Sequence, residues 1–424
     1  MGNKVADSTT IKKILRRVAG EKLDAKHRSF HPFPARMPLE LARTLISELT
    51  QASAMVLDPM LGSGTTAIAS RMLGRSCLGT EIDPMAVALS RTATTYYSTR
   101  NLADVRDEVF DGATSILKHQ PFRLSLDRLR MSDENKQFIQ YWFPEQSQSQ
   151  LFALAKSIGR LQNSRDSRLA WTVFSSLIIA KRATASYATD ISRTRPRRNF
   201  EKAIVLPFDA WHRRFYEAET RLPFVGHKPA AGAKCTLLEG DARSLPFSDN
   251  SVDFVLTSPP YLNAIDYLRS HRMSLVWMGH DLSDIRELRG TMCGSERGMW
   301  QLDGLPAKLE QRLESEIFVP RHRAVLRRYL ADLRLMLHEI NRVLSPGGTV
   351  IMALGPNLLA KDIEDTTAVV RQLSRQAGLQ FLVGVPREID ALRRSLPPPE
   401  KTDKASPLGL RMQHELMVAL RKPD

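Results

Sequence analysis

The sequence predicts a doubly wound α/β protein: a mostly parallel, seven-stranded sheet with helices on both faces and one largely helical insertion. Three observations predict it. Short apolar runs end in glycine, acid or proline clusters, helical periodicities separate them, and residues 101–234 carry several helical periodicities. Strands joined by helices form parallel sheets, and ligands of such sheets bind outside the carboxyl ends of the strands.

The elements follow in order. Residues 1–30 are basic and amphipathic, with Ile11, Ile14, Leu15 and Val18 at helical spacing beside Lys12, Lys13, Arg16 and Arg17, and read as a surface helix in preference to a DNA-binding arm. A helix over 38–49 leads into the strand 56–58, which opens on a glycine turn and a helix of small residues. The second strand covers 77–83, and a helix over 84–97 follows it. Residues 101–234 then interrupt the sheet, with helices over 151–161 and 169–181. The sheet resumes at 236–242 and continues at 252–256, a buried strand closed by prolines. A helix over 263–278 precedes the glycine-punctuated stretch 279–320, read as a mobile loop over a substrate or a plain surface excursion. A long helix over 324–344, a turn at 345–348 and a fifth strand at 349–354 come next, and strands at 380–385 and 415–420 supply the last two. The core is thus split into residues 1–100 and 235–424 around the insertion.

The tip Thr257-Ser258-Pro259-Pro260-Tyr261 carries the most chemistry. Proline has no N–H and holds its predecessor extended, so Ser258, Pro259 and Pro260 offer carbonyl oxygens and a hydroxyl but few donors. Such a corner suits a donor, and the exocyclic amino group of a nucleobase is one, with Tyr261 offering a face on which an extruded base can lie. Two acceptors holding both amino hydrogens favour a pyramidal nitrogen and aim its lone pair at an electrophile. A proline-terminated strand with a buried tyrosine is the bland alternative, and its neighbours weaken it. Asp58-Pro59-Met60-Leu61-Gly62-Ser63-Gly64-Thr65-Thr66 is a strand, glycine turn and helix start at which backbone can approach a ligand closely. Thr65 stands where a P-loop requires Lys, and the third glycine of a dinucleotide fingerprint is missing. Glu81, with Asp83 as alternate, lies at the distance from the turn that suits a ribose-binding acid, and Asp241 ends the next strand.

Taken together, these segments resemble the S-adenosylmethionine-dependent DNA amino-methyltransferases of the cytosine-N4 and adenine-N6 group, whose class I, Rossmann-like fold the resemblance implies. Residues 58–66 are similar to the family's cofactor loop and Thr257 to Tyr261 to its catalytic tetrapeptide, in the Ser form commonest among N4-cytosine enzymes. His31-Pro32-Phe33-Pro34-Ala35-Arg36-Met37-Pro38 resembles the segment that precedes the loop and helps cover the methionine moiety, and residues 393–397 and 410–415 resemble closing elements. The resemblance implies that Glu81 holds the ribose, that Asp241 beside Ala242 meets the cofactor's adenine, and that Ser258 and the Pro259 carbonyl grip the target amino group while Tyr261 stacks on the base. It implies S-adenosylmethionine as cofactor, duplex DNA as substrate and no metal, and leaves open whether a cognate restriction endonuclease accompanies the enzyme. Adenine-N6 methylation of DNA and methylation of a guanine amino group in RNA stay open as alternatives. Cytosine-C5 chemistry needs a Cys nucleophile, customarily after Pro, and no Pro in this chain precedes a Cys.

Composition agrees with a polyanionic partner. Lys and Arg number 61 against 46 Asp and Glu, a net charge of +15. Lys181, Arg182, Arg193, Arg195, Arg197 and Arg198 cluster in the insertion, the candidate for phosphate contacts and target recognition, against the alternative of a solvated loop. Cys77, Cys235 and Cys293 show neither metal-ligand nor disulfide spacing and are expected reduced. With no leader-like segment and no apolar run long enough to span a bilayer, a cytoplasmic enzyme is expected.

Overall fold

The computed structural model of the protein describes residues 6–21, 30–33, 36–119, 131–179, 184–189, 197–230, 232–262, 267–295, 304–315, 320–355, 363–389 and 414–424. Its strands, in chain order, are β1 (Met55–Asp58), β2 (Ser76–Glu81), β3 (Ala188–Thr189), β4 (Arg197–Arg198), β5 (Cys235–Glu239), β6 (Val252–Thr257), β7 (Leu344–Leu354), β8 (Gln380–Glu388) and β9 (His414–Arg421). Seven of them form one sheet in the order β5, β2, β1, β6, β7, β9, β8, while β3 and β4 pair alone. Pairing is parallel from β5 to β7, and β9 runs antiparallel to both β7 and β8. The strand order doubles back between β1 and β6, which makes their carboxyl ends the switch point where a crevice opens.

Helices cover both faces. The first helices are α1 (Ser8–Gly20), α2 (Leu39–Leu49), α3 (Thr65–Met72) and α4 (Pro84–Thr94), and the insertion adds α5 (Thr99–His119), α6 (Asp133–Trp142), α7 (Glu145–Ile158), α8 (Ser164–Ile179) and α9 (Pro207–Arg221). Beyond β6 come α10 (Tyr267–Leu275), α11 (Leu282–Thr291), α12 (Ala307–Ser315), α13 (Pro320–Val343) and α14 (Ile363–Gln376). Helix α1 starts where Asp7 accepts from the Thr10 amide at 2.8 Å, and its basic side stays outward while Ile11, Leu15 and Val18 pack on α2, β8 and β9. Burial of each such side chain contributes roughly 1.5 to 3 kcal/mol, so α1 is a helix of the core surface.

The insertion is pinned at its neck, because the Tyr97 amide donates to the Phe224 carbonyl at 3.0 Å and the Gly226 amide to the Tyr97 carbonyl at 2.9 Å. It also shares a single apolar cluster with α1, α2 and the sheet, so it has no separate core. A second cluster, centred on α13, α14 and the other sheet face, completes the double winding.

Three details differ from the sequence reading. The expected turn at 345–348 lies inside β7: Val252 pairs with Leu344 and Phe254 with Thr349, so the residues between them loop out around Gly347, whose φ is +74°. The stretch read as a mobile loop contains α11 and α12. The insertion carries the β3–β4 ribbon, whose strands are too short to show a period.

Candidate functional site

One buried carboxylate ties the ends of β1 and β6 together. Asp58 Oδ1 accepts from the Thr257 hydroxyl at 2.8 Å and from the Met60 amide at 3.1 Å, and nearby the Thr66 hydroxyl donates to the Leu256 carbonyl at 3.0 Å. The glycine turn and the proline-stiffened tip therefore share one floor. Asp58 is 4 % exposed, and burial pushes its carboxyl up to about 6 against the pull of the Thr257 and Met60 bonds.

The turn itself requires glycine. Gly62 and Gly64 have φ of +50° and +82°, and a Cβ on Gly64 would lie 2.8 Å from the Ser90 Cβ of α4. Glu81, at the end of β2, accepts from the Gly62 amide at 2.8 Å through Oε2, and from the Ile82 and Asp83 amides at 2.9 and 3.0 Å through Oε1. Its side chain keeps an opening at the crevice, yet burial, joined by the charge of Asp83, pushes the carboxyl up to about 7. Asp83 is turned inward at 1 % exposure: it caps α4 through the Met85 and Ala86 amides and meets His271 Nδ1 at 2.5 Å. Of the two acids considered for a ribose, Glu81 alone faces the turn, because Asp83 is spent on the helix cap and the histidine.

Phe33 covers the turn from above. Its ring lies 3.4 Å from where a Gly62 Cβ would stand and stacks on Tyr267, with centroids 4.8 Å apart. His31 is 1 % exposed, with Nε2 at 3.0 Å from the Ser175 hydroxyl, and burial holds its pKa well below the usual imidazole value. His31, Phe33 and Ser63 line one narrow recess, so the histidine reaches the turn along its wall. Thr65 opens α3, and Pro34 lies outside the described residues.

Past the end of β5, Arg243 binds Asp241 through Nη2 at 2.6 Å and Asp332 of α13 through Nη1 at 2.6 Å. Asp241 is thus held as a paired carboxylate beside the buried Ala242. At the β6 tip, Ser258 and Pro260 are partly exposed and Pro259 is buried. The Tyr261 hydroxyl donates to Glu415 Oε2 at 2.7 Å, Glu415 is paired with Arg387 across β9 and β8, and the tyrosine side chain rests on Gly355, where a Cβ would come within 2.9 Å. Burial, with Glu415 beside it, raises the phenol well above its usual value. The sequence reading missed Arg387, Arg243 and His271 as site residues. His271 lies 188 positions from its partner Asp83, and no local pattern connects them.

Of the basic cluster, Arg197 is exposed and Arg198 is partly buried, its guanidinium over the rings of Phe200, Tyr141 and Tyr187 at 4.2, 4.7 and 5.3 Å. Lys202 locks the surrounding loop by donating to Thr184 Oγ1, Ser186 O and Ala188 O at 2.7, 2.9 and 2.6 Å. Lys181, Arg182, Arg193 and Arg195 lie outside the described residues, as do 390–413.

A family model of DNA methylases of the N6/N4 type matches residues 4–92. The type II methyltransferase M.BsoBI of Geobacillus stearothermophilus is 25 % identical over 273 residues, covering 59 % of this chain and 52 % of that relative, so the match spans about half its length. The type II methyltransferase M.MvaI of Kocuria varians is 23 % identical over 424 residues, covering 92 % of this chain and 90 % of the relative. Among solved structures, a SAM-dependent methyltransferase from Methanosarcina mazei superposes with a TM-score of 0.32 at 11 % identity, over 89 % of this chain and 97 % of that one. Among the described residues, no helix is long and apolar enough to cross a membrane.

Proposed function

We propose that the chain is a DNA methylase of the N6/N4 type with S-adenosylmethionine as its cofactor, and that it methylates the exocyclic N4 amino group of cytosine in duplex DNA. The observation that carries the proposal is the Asp58 carboxylate, which joins Thr257 to the turn at Met60 and so sets the amino-gripping tip against the glycine turn.

The residues divide the work. The glycine turn and Glu81 hold the ribose end of the cofactor, Asp241, kept in place by Arg243, meets its adenine, and the recess lined by His31, Phe33 and Ser63 takes the methionine end. The bound cofactor supplies an electrophilic methyl group on a sulfonium. Ser258 and the Pro259 carbonyl accept the two amino hydrogens of a base flipped from the duplex, at a cost of roughly a few kcal/mol, while Tyr261 stacks on its face. Catalysis then rests on positioning and electrostatics, with no covalent bond to the enzyme. A hydroxyl at 258 is a weaker acceptor than a carboxylate, and the Ser form favours cytosine over adenine. Insertion arginines provide phosphate contacts.

Nucleoside mass spectrometry of duplex DNA incubated with the protein and the cofactor should yield N4-methylcytosine. N6-methyladenine alone, or methylation of transfer RNA but not DNA, overturns the substrate assignment. Ser258→Ala and Tyr261→Ala should each abolish methylation while retaining most cofactor binding, and unchanged turnover in both overturns the assignment of the pocket.

A further inference from the structure

A second constellation lies at the amino end of β5, away from the crevice. Cys77 on β2 and Cys235 on β5 are register partners in adjacent parallel strands, so their side chains leave the sheet on the same face. Neighbouring strands run about 4.8 Å apart, inside the Cα separation over which a disulfide closes. Both residues are free thiols. Cys77 is 1 % exposed and packs against Leu61 and Ala67, whereas Cys235 is only partly buried and lines an open recess together with Arg71, Arg91, Arg168 and Thr94. No carboxylate lines that recess among the described residues. Arg91 is anchored there by its Nε bond to the Leu237 carbonyl at 2.8 Å, and Arg71 sits with its guanidinium 5.5 Å from the Phe224 ring.

We propose that Cys235 is a peroxide-reactive thiol and Cys77 its resolving partner, the two closing a disulfide between β2 and β5. The site is independent of the methylation reading. Electrostatics agree in direction: the neighbouring Cys77, with Thr94 and Arg71 beside it, holds the Cys235 thiol below its usual value, while Cys235 and burial push Cys77 up. In the first step the Cys235 thiolate attacks one oxygen of hydrogen peroxide, the O–O bond breaks, and hydroxide leaves and takes up a proton, giving a sulfenic acid and water. In the second, the Cys77 sulfur attacks Cys235 Sγ as the S–O bond breaks, and the departing hydroxide carries off the Cys77 proton as water. Two thiols are oxidised by two electrons and one peroxide is reduced to two waters.

Peptide mapping of the full chain after treatment with hydrogen peroxide and alkylation tests this. The expected product is a Cys77–Cys235 linked peptide, reversible by a dithiol reductant, with Cys293, whose thiol burial keeps protonated, still alkylatable. Cys77→Ala should stop at a dimedone-reactive sulfenic acid on Cys235, and Cys235→Ser should yield neither product. Arg71→Gln keeps both thiols and should slow disulfide formation by about three- to tenfold, through a smaller thiolate fraction. The proposal is overturned if Cys293 is oxidised while Cys77 and Cys235 remain alkylatable, or if Cys235 proceeds to a sulfinic acid with no linked peptide. An unchanged rate in Arg71→Gln overturns the role of the recess.

Discussion

Two carboxyls at the crevice are pushed upward by burial, and they serve differently. Asp58 has its Oδ1 filled by Thr257 and Met60, so it is a strut. Thr257→Val keeps the shape and removes one donor to a buried carboxylate, and should cost about 1.5 to 3 kcal/mol in a urea unfolding titration. Glu81 instead points an oxygen at the glycine turn, and burial with the charge of Asp83 beside it pushes its carboxyl up to about 7. An ionised carboxylate is the stronger acceptor for ribose hydroxyls, so cofactor affinity should climb as pH rises from 6 to 8. With a pKa of about 7, roughly a tenth of the sites are ionised at pH 6, which sets the expected gain at about tenfold, read by calorimetry. Glu81→Gln should bind weakly and show no such slope. The same shift has an opposite sign for stability: the folded chain holds this proton more tightly than the unfolded chain, so the contribution of Glu81 is present below about pH 4.5 and is lost as pH rises through 7.

Elements place these residues through close contacts that admit no slack. Helix α3 starts at Gly64 because φ of +82° and the 2.8 Å approach to Ser90 exclude a side chain. Gly64→Ala should therefore cost about 1 to 3 kcal/mol in thermal unfolding and lower cofactor affinity with it. How much of this was legible depended on whether a residue's signal was local. The glycine turn, the acids ending β2 and β5 and the proline-closed tip of β6 each announce themselves within a few residues, whereas the order of the strands in the sheet does not. Asp83 was ambiguous because an acid before Pro84 serves equally as a ribose ligand or a helix cap, and only the position of His271 separates the two. The clamp of Tyr261 by Glu415 and Arg387 arises from two distant strands, so sequence proximity carried no hint of it. Helices α11 and α12 are short and glycine-flanked, which is why their stretch read as a loop.

Across the whole molecule, the net charge of +15 favours a polyanionic partner, and the insertion is the surface proposed to meet it. Arg198 is held on an aromatic pedestal of Tyr141, Tyr187 and Phe200, and Lys202 cross-braces the loop beneath it, which leaves Arg197 exposed on the ribbon. A rigid pedestal lowers the entropy lost when an arginine docks on a phosphate, since the side chains around it are already ordered. If the ribbon meets duplex DNA, the logarithm of the association constant should fall linearly with the logarithm of salt concentration, with a slope near −0.9 for each phosphate neutralised. Arg197→Ala should then weaken binding to cognate and random duplexes alike and reduce the slope by about 0.9. Arg198→Ala should act differently, because loss of the guanidinium also loosens the three rings and the ribbon they support. Fluorescence anisotropy across a salt series separates the cases, and a slope unchanged in both variants would remove this ribbon from the DNA interface.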